Sequence, residues 1–385
     1  MANAASGALG PLSILNGTMS EWQARAEKNP IVDFVDYCLR GVGQVCFMNN
    51  PVTGAFILAA MFVAPIRGDR IWLGVAGVIG VAVSTLTAHA LGLDRGAIRA
   101  GLFGFNGVLV GAGLALFLGP NWDGLVFVWI IAVSALSTVL MAALATIFLT
   151  AWKVPPFTLA FNIATLLFLV TALHAANGRF AGVLQPNAPA ITAEDVSTDF
   201  RTISGDNTIV DGITATFNGI GQLFFAEDVI AGILIVIGLM VCSRIAGSFA
   251  LLGSILGMLT GLALGADGGA IYHGLWGFNS FDAALAIGGV FYVLTWRSGL
   301  LAAGCAIFTA LLFGAISSIF EPWGLPALTL PFCFGTLAFV LIKGAARNFV
   351  PVEVQDITTP EEHLQRMRGE RRGVGRDAVG ALRED

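Results

Sequence analysis

The sequence predicts an all-α polytopic membrane protein built from two inverted repeats, each with five transmembrane helices plus one re-entrant half-helix. Three observations carry this expectation: a composition poor in charge, a series of long apolar stretches, and three motifs that recur in the same order. Of 385 residues, 56% are hydrophobic and only 12% are charged. An average soluble domain carries about twice that charged share. The 48 glycines also exceed the usual share of roughly 7%, and small residues let helix backbones approach closely in lipid.

A helix needs about 20 apolar residues to cross a bilayer. Stretches of that kind lie near 48–66, 71–92, 100–118, 124–151 and 156–176 in the first half. In the second half they lie near 226–243, 247–265, 272–294, 299–319 and 326–346. Charged and turn residues punctuate them, among them Arg67, Asp94, Lys153, Arg244, Asp267, Arg297 and Glu321. A less apolar, helix-like stretch precedes each set, near 30–44 and 208–222. These two read as surface helices or re-entrant half-helices, because irregular backbone at membrane depth survives only where it is buried or lines a cavity. The first thirty residues lack the apolar run of a signal peptide, so the first apolar stretch is expected to stay in the mature protein.

Residues 1–29 form a polar N-terminal segment, 30–176 a first membrane repeat, 177–207 a polar linker, 208–346 a second membrane repeat and 347–385 a charged tail. The tail carries Arg366, Arg368, Arg371 and Arg372 and reads as solvated and cytoplasmic. The acidic linker then falls on the opposite side.

The repeat is visible in three motif pairs. Gly41-Val-Gly-Gln-Val-Cys-Phe47 matches Gly219-Ile-Gly-Gln-Leu-Phe-Phe225. Gly101-Leu-Phe-Gly-Phe-Asn106 matches Gly274-Leu-Trp-Gly-Phe-Asn279, and Pro155-Pro-Phe-Thr-Leu-Ala-Phe161 matches Pro326-Ala-Leu-Thr-Leu-Pro-Phe332. Three matches in order mark a duplication. Five spans per copy is an odd number, so the second copy is expected upside down relative to the first. Such folds place a solute site near the midplane, between the repeats.

The repeated positions supply a particular chemistry. Gln44 and Gln222 offer amide groups at the ends of the two half-helices, and a polar side chain in lipid is costly unless it has work to do. Thr158 and Thr329 offer hydroxyls. Phe47, Phe225, Phe105 and Phe278 offer flat apolar faces. The last carbonyls of a half-helix are unpaired within it and add a row of acceptors. This set suits a small, flat, neutral solute rich in N–H donors. The alternative for the glycines and rings is helix packing.

Other classes find little support. There is no basic patch for nucleic acid. Cys38, Cys46, Cys242, Cys305 and Cys333 form no C-x-x-C pair and lie in or beside apolar stretches, as small core residues do. His89, His174, His273 and His363 have no metal-ligand partner at helical spacing and are expected to pack or cap. No nucleophile constellation or phosphate loop is present, so neither an enzyme nor a cofactor nor a metal is expected.

The run Leu39-Arg-Gly-Val-Gly-Gln-Val-Cys-Phe-Met-Asn-Asn-Pro-Val-Thr-Gly54 resembles the signature of the urea transporter family. So do Gly101-Leu-Phe-Gly-Phe-Asn-Gly-Val-Leu-Val-Gly111, Phe157-Thr-Leu-Ala-Phe-Asn162 and Leu328-Thr-Leu-Pro-Phe332. The resemblance spans roughly 31–346. It implies a homotrimer in a lipid bilayer, the bacterial inner membrane, with one pore per protomer between the repeats. It also implies passive passage of urea and related small amides. Carried over by motif, Gln44 and Gln222 help form oxygen sites. Phe47 with Leu109, and Phe225 with its partner, form slots with Phe105 and Phe278, and Thr158 and Thr329 sit at the narrow centre. The sequence departs from the pattern at Asp282, which stands where the first repeat has Leu109, and at Ala160, which stands where a proline is expected. Glu227 and Asp228 replace Asn49 and Asn50 and read as a pore-mouth acid pair or as acids at a helix start. An ion- or proton-coupled transporter of another small solute is the competing reading. It would rest on Asp282 as the one good intramembrane ionisable group.

Overall fold

Helix starts are set by short polar caps that the chain uses twice. The computed structural model describes residues 15–67, 72–118, 124–175, 186, 199–203 and 208–369. The connectors at 68–71 and 119–123, most of the linker, and the tail beyond 369 with Arg371 and Arg372 lie outside the described residues. After α1 (Ser20–Ala26), helix α2 (Pro30–Gln44) opens with Asn29, whose side chain accepts from Ile31 N–H at 3.0 Å. Pro30 at the first helical position costs no hydrogen bond there. Helix α3 (Pro51–Arg67) is capped by Asn50, which accepts from Val52 N–H at 2.8 Å. Helices α4 (Trp72–Ala90) and α5 (Arg95–Arg99) follow, the second capped by Asp94. Then come α6 (Phe105–Phe117), α7 (Gly124–Ile147), which runs on through a π-helical turn to Trp152, and α8 (Leu159–Ala172).

The second half repeats this order. Helix α9 (Thr208–Gln222) ends at a glutamine as α2 does, and both have 15 residues. Helix α10 (Val229–Cys242) is capped by Asp228, which accepts from Ile230 N–H at 2.8 Å. Asp228 is therefore a helix start, like Asn50. Helix α11 (Arg244–Leu264) begins at the Ser243 cap, and α12 (Gly268–Tyr272) at the Asp267 cap. Helix α13 (Phe278–Leu285) passes into a π-helical turn at Ala286–Val290. Then α14 (Trp296–Phe320) and α15 (Leu330–Leu341) complete the half.

Among the described residues, four helices are long and apolar enough to cross a membrane: Trp72–Ala90, Gly124–Trp152, Arg244–Leu264 and Trp296–Trp323. Exposed Trp296 and Trp323 flank the ends of the last of these, and exposed Trp152 closes the second. Amphipathic rings favour those depths. The other apolar helices are shorter, including Phe105–Phe117, Leu159–Ala172 and Leu330–Gly344. The uniform spans expected near 100–118, 156–176, 272–294 and 326–346 thus resolve differently. In each, the chain turns inside the motif and a shorter helix starts at Phe105, Leu159, Phe278 or Leu330. Hydropathy alone cannot show such breaks, because the residues that make them are themselves apolar.

Glycines at fixed places allow the breaks. Gly101 and Gly274 adopt φ +77° and +79°, and a Cβ there would meet Gly41 N at 2.3 Å and Gly219 N at 2.2 Å. Gly54 and Gly232 let α3 and α10 lie against the half-helices: an added Cβ would fall 1.9 Å from Leu39 O and 2.1 Å from Phe217 O. The halves are joined where Thr53 Oγ1 on α3 donates to Gly238 O on α10 at 2.7 Å.

The tail departs from the solvated extension that its charges suggested. Val352 N–H donates to Phe291 O and Val293 N–H to Val350 O, both at 2.9 Å, and His363 is buried. Residues 350–366 therefore pack on the membrane body.

Gly101→Ala is expected to lower unfolding free energy by at least about 2 kcal/mol, since both its backbone conformation and its contact exclude a side chain. A denaturation series in detergent micelles would show it. An unchanged midpoint would refute the geometry.

Candidate functional site

The site grows from the two ends of α2 and α9. After Gln44 the chain makes a tight turn in which Val45, Cys46 and Phe47 donate back to Val42 O, Gly43 O and Gln44 O at 3.0–3.3 Å. After Gln222, Phe224 and Phe225 repeat this with Gly221 O and Gln222 O at 3.0 Å. The helix-end carbonyls, expected to stand open as a ladder, are thus engaged by the turn: Val42 O, Gln44 O and Gln222 O once, and Gly43 O and Gly221 O twice, the second time by Met48 N–H and Ala226 N–H. Phe47 and Phe225 take left-handed conformations, φ 61° and 56°, which costs a non-glycine residue roughly 1 kcal/mol or more. In both turns the glutamine and the last phenylalanine stay half-exposed while their neighbours are buried. Gln44 Nε2 donates to Ala100 O at 2.8 Å, which commits its N–H end and leaves the amide oxygen for a solute.

A cavity of about 240 Å³ opens beside the first turn. Gln44, Phe47, Phe105 and Thr158 line it, together with Phe157, Phe291 and Phe332. Among the described residues, no Asp, Glu, Lys, Arg or His side chain lines it. The Phe47 ring stands edge-on to Phe291 at 5.5 Å and to Phe157 at 6.2 Å, and tilted over Phe332 at 6.1 Å. Two of these partners belong to the second half. Phe225 correspondingly packs on Phe117 and Phe161 of the first half, at 5.9 and 6.5 Å. Each slot phenylalanine is therefore completed by the opposite repeat. Phe278 packs on Phe313 at 5.8 Å, and Leu109 is fully buried. Gln222, Phe225, Phe278, Leu109 and Thr329 do not line this cavity.

Thr158 and Thr329 meet at its inner end, where their hydroxyl oxygens are 2.7 Å apart. They occupy the N-cap positions of α8 and α15, yet neither makes a side-chain cap. The reason lies in two asparagines. Phe161 N–H, which a capping threonine would take, donates instead to Asn106 Oδ1 at 3.0 Å. Phe332 N–H likewise donates to Asn279 Oδ1 at 3.1 Å. With the cap supplied from α6 and α13, both hydroxyls are free to face each other. Asn162 binds the halves together here, donating to Thr329 Oγ1 at 2.8 Å and accepting from Thr329 N–H at 3.0 Å. Cys333 Sγ lies 3.2 Å from Thr158 Oγ1.

Asn106, Asn279 and Asn162 stand in the quoted motifs without an assigned role, and Cys333 reads from the sequence as a small core residue. The sequence signal for Asn106 and Asn279 was their place closing a repeated motif. Phe157, Phe291 and Phe332 sit beside predicted residues and were missed because buried phenylalanines look alike in an apolar run.

Two short helices thus meet N-terminus to N-terminus at the Thr158–Thr329 contact. Each N-terminus carries about half a positive charge. A cation crossing there meets a repulsive field and aromatic walls that cannot replace its water. An anion finds no cationic side chain among the described residues that line the cavity. A neutral molecule with N–H donors and an oxygen acceptor can exchange hydrogen bonds with the two hydroxyls.

Asp282 is one turn beyond Asn279 on the same face of α13 and corresponds to Leu109 in the motif. It is fully buried, and neither carboxyl oxygen has a hydrogen-bond partner. It stands within electrostatic reach of Cys46 and Cys333. At the other turn, Glu227 pairs with His273 through Nδ1, and both are exposed. Among the described residues no cluster of His, Cys, Asp and Glu suits a metal.

The helical membrane architecture and this uncharged, aromatic-lined pathway define a membrane protein for small neutral solutes. The urea transporter family model matches residues 35–344. Urea transporter 1 of Ovis aries is 36% identical over 357 residues, covering 91% of this chain and 88% of that protein. Urea transporter 1 of Rattus norvegicus is 35% identical over 359 residues, with the same coverage of each. The chain belongs to the urea transporter family. It is an integral, multi-pass membrane protein and not an enzyme.

Asp282→Leu, which installs the first repeat's residue, is expected to raise unfolding free energy by about 1–3 kcal/mol, because an unpaired buried polar group is removed. Denaturation in micelles would measure it. A loss of that size would mean that the carboxyl has partners in the folded protein.

Proposed function

We propose that this protein conducts urea and related small amides passively, through a pathway between two inverted repeats. The observation that carries the reading is the Thr158–Thr329 contact between opposed helix N-termini, at the end of an uncharged cavity lined by Gln44, Phe47 and Phe105. Urea is planar and neutral, with four N–H donors and one carbonyl acceptor. Its faces suit the rings of Phe47 and Phe291. Its edge suits the amide oxygen of Gln44 and then the two hydroxyls. Gln222, Phe225 and Phe278 are assigned the same tasks on the far side, and Leu109 backs the central contact. Family membership and the relatives named urea transporter support this assignment.

Inversion of the second repeat is part of this reading, supported by the way Phe47 and Phe225 each pack on rings of the other half and by the meeting of α8 and α15 at their N-termini. The Gln44 mouth lies with the arginine-bearing tail and is assigned to the cytoplasm. The described piece of linker at Phe200 packs against Gly268 near the Gln222 half, on the opposite side. A homotrimer embedded in bilayer lipid, in the inner membrane of a bacterium, remains part of the proposal. The exposed apolar face of α7, with Val128, Ile131 and Val139, is available to lipid or to a neighbouring protomer. A coupled transporter gains no support: the one candidate coupling group, Asp282, is sealed off from the cavity.

Stopped-flow light scattering on proteoliposomes tests the reading. Urea efflux is expected well above that of empty liposomes and independent of sodium and proton gradients. Thr158→Val should slow it roughly tenfold, the equivalent of about 1.4 kcal/mol for one lost hydrogen bond in passage. Efflux no faster than from empty liposomes would overturn the proposal.

A further inference from the structure

The tail supplies a feature that conduction does not require. Ile357, Thr358 and Thr359 line the Gln44-side cavity, and Val354 and the N-terminal residue Thr18 join them. These segments therefore form part of the cavity wall on the Gln44 side. The N-terminal piece is fixed from below: Asn50 Nδ2 donates to Gly17 O at 2.7 Å and Arg40 Nη1 to Thr18 O at 2.8 Å. The tail is fixed from three sides. Its residues 350–352 pair with the backbone of Phe291 and Val293. Glu361 accepts from Ile245 N–H at 3.0 Å, at the start of α11. His363, on the helix over 360–369, closes the loop between.

The His363 ring holds that loop with both nitrogens. Nε2 accepts from Thr358 N–H at 2.9 Å, and Nδ1 lies 2.9 Å from Gly289 O. The two contacts require the neutral ring protonated on Nδ1, since Nε2 must be an acceptor and a carbonyl can only accept. Thr358, held by Nε2, is itself a cavity-lining residue.

We propose that residues 350–366 are a cap on the Gln44-side mouth, latched by His363, and that acid releases it and raises conduction. This rests on the conduction reading and adds regulation to the same pathway. A proton on Nε2 turns an acceptor into a donor that faces the Thr358 N–H, so the latch bond is lost. The charges facing the ring are Glu362 and Arg366 on its own helix. The preceding loop contributes Asp356, through its backbone. The π-helical turn Ala286–Val290 brings no ionisable group, and Arg244 at the start of α11 points to solvent. Burial, the largest cause, holds the imidazole below its ordinary value; the bond to Gly289 O opposes this, Arg366 adds to it, and Glu362 and the Asp356 backbone oppose it. The sign follows. The capped state prefers the neutral ring, so capping is strongest above the ordinary imidazole value of about 6.5 and weakens as pH falls toward the lower capped value. Release is also felt in the pathway, because the arm is bonded to the backbone of Phe291, whose ring stands on Phe47.

The test uses the full chain in proteoliposomes with equal pH on both sides, comparing pH 7.5 with 5.5. Urea efflux is read alongside hydrogen exchange of residues 350–366, corrected for the intrinsic pH dependence of exchange. For the unmodified protein, efflux is expected to rise at least about threefold at the lower pH, with lost protection in the arm. The latch equilibrium itself shifts by up to about tenfold per pH unit. His363→Gln keeps one donor and one acceptor without titrating, and is expected to stay slow and protected at both pH values. His363→Ala is expected to be fast and unprotected at both. Arm protection and efflux that do not change with pH, or a His363→Gln protein that follows the unmodified profile, would overturn the cap. An arm that opens with acid while no variant conducts urea at either pH would overturn the conduction reading instead, since exchange reports the arm without any solute.

Discussion

The contact between the hydroxyls of Thr158 and Thr329 is the point on which the rest of the structure turns. A threonine at a helix start ordinarily spends its oxygen on the helix's own N–H groups. Here Asn106 and Asn279 reach across from neighbouring helices and take over that duty. The strained residues before the two threonines, Phe157 at φ 53° and Leu328 at φ 48°, aim both helix starts at one spot. Asn162 then fastens that spot with bonds between the halves. The proposed selectivity against ions rests on the same arrangement: two helix N-termini share one place with aromatic walls, and among the described residues no charged side chain lines the cavity.

Duplication explains how such an arrangement arises, and its imperfections show where the two ends differ. Gly101 and Gly274 take the same left-handed turn, Asn106 and Asn279 cap α8 and α15 in the same way, and Gln44 and Gln222 end helices of equal length. Leu109 and Asp282 do not: one is an ordinary buried hydrophobe and the other a buried carboxyl without partners. The surroundings of the two turns differ as well: the N-terminal segment and the tail help line the cavity beside the first, and the exposed Glu227–His273 pair stands by the second.

Much of this was legible in the residues. Charge poverty and apolar runs place the chain in lipid, and the three ordered motif pairs identify the half-helices, the glutamines and the central threonines. Asp228 reads either as half of a pore-mouth acid pair or as an acid at a helix start, and the structure shows it capping α10. What the sequence hid has physical causes. A break inside an apolar segment leaves no hydropathy signal when the turn is made by Phe157 or Gly101. Phe291 and Phe332 are indistinguishable from packing residues until the fold sets them around Phe47. The tail looks solvated because its charges dominate, while the contacts that dock it run through backbone groups and one imidazole. The carbonyls of the last turn of α2 look open on helix-end arithmetic, yet the turn that positions Phe47 uses them.

Ion exclusion at the paired helix starts is the central claim, and it has a direct measurement. Urea flux and electrical current can be recorded together in a planar bilayer holding the protein, with a urea gradient and symmetric salt. The account predicts a urea flux that does not change with applied voltage and carries no current above that of the bare bilayer. A steady cation current that rises and falls with the urea flux would contradict it.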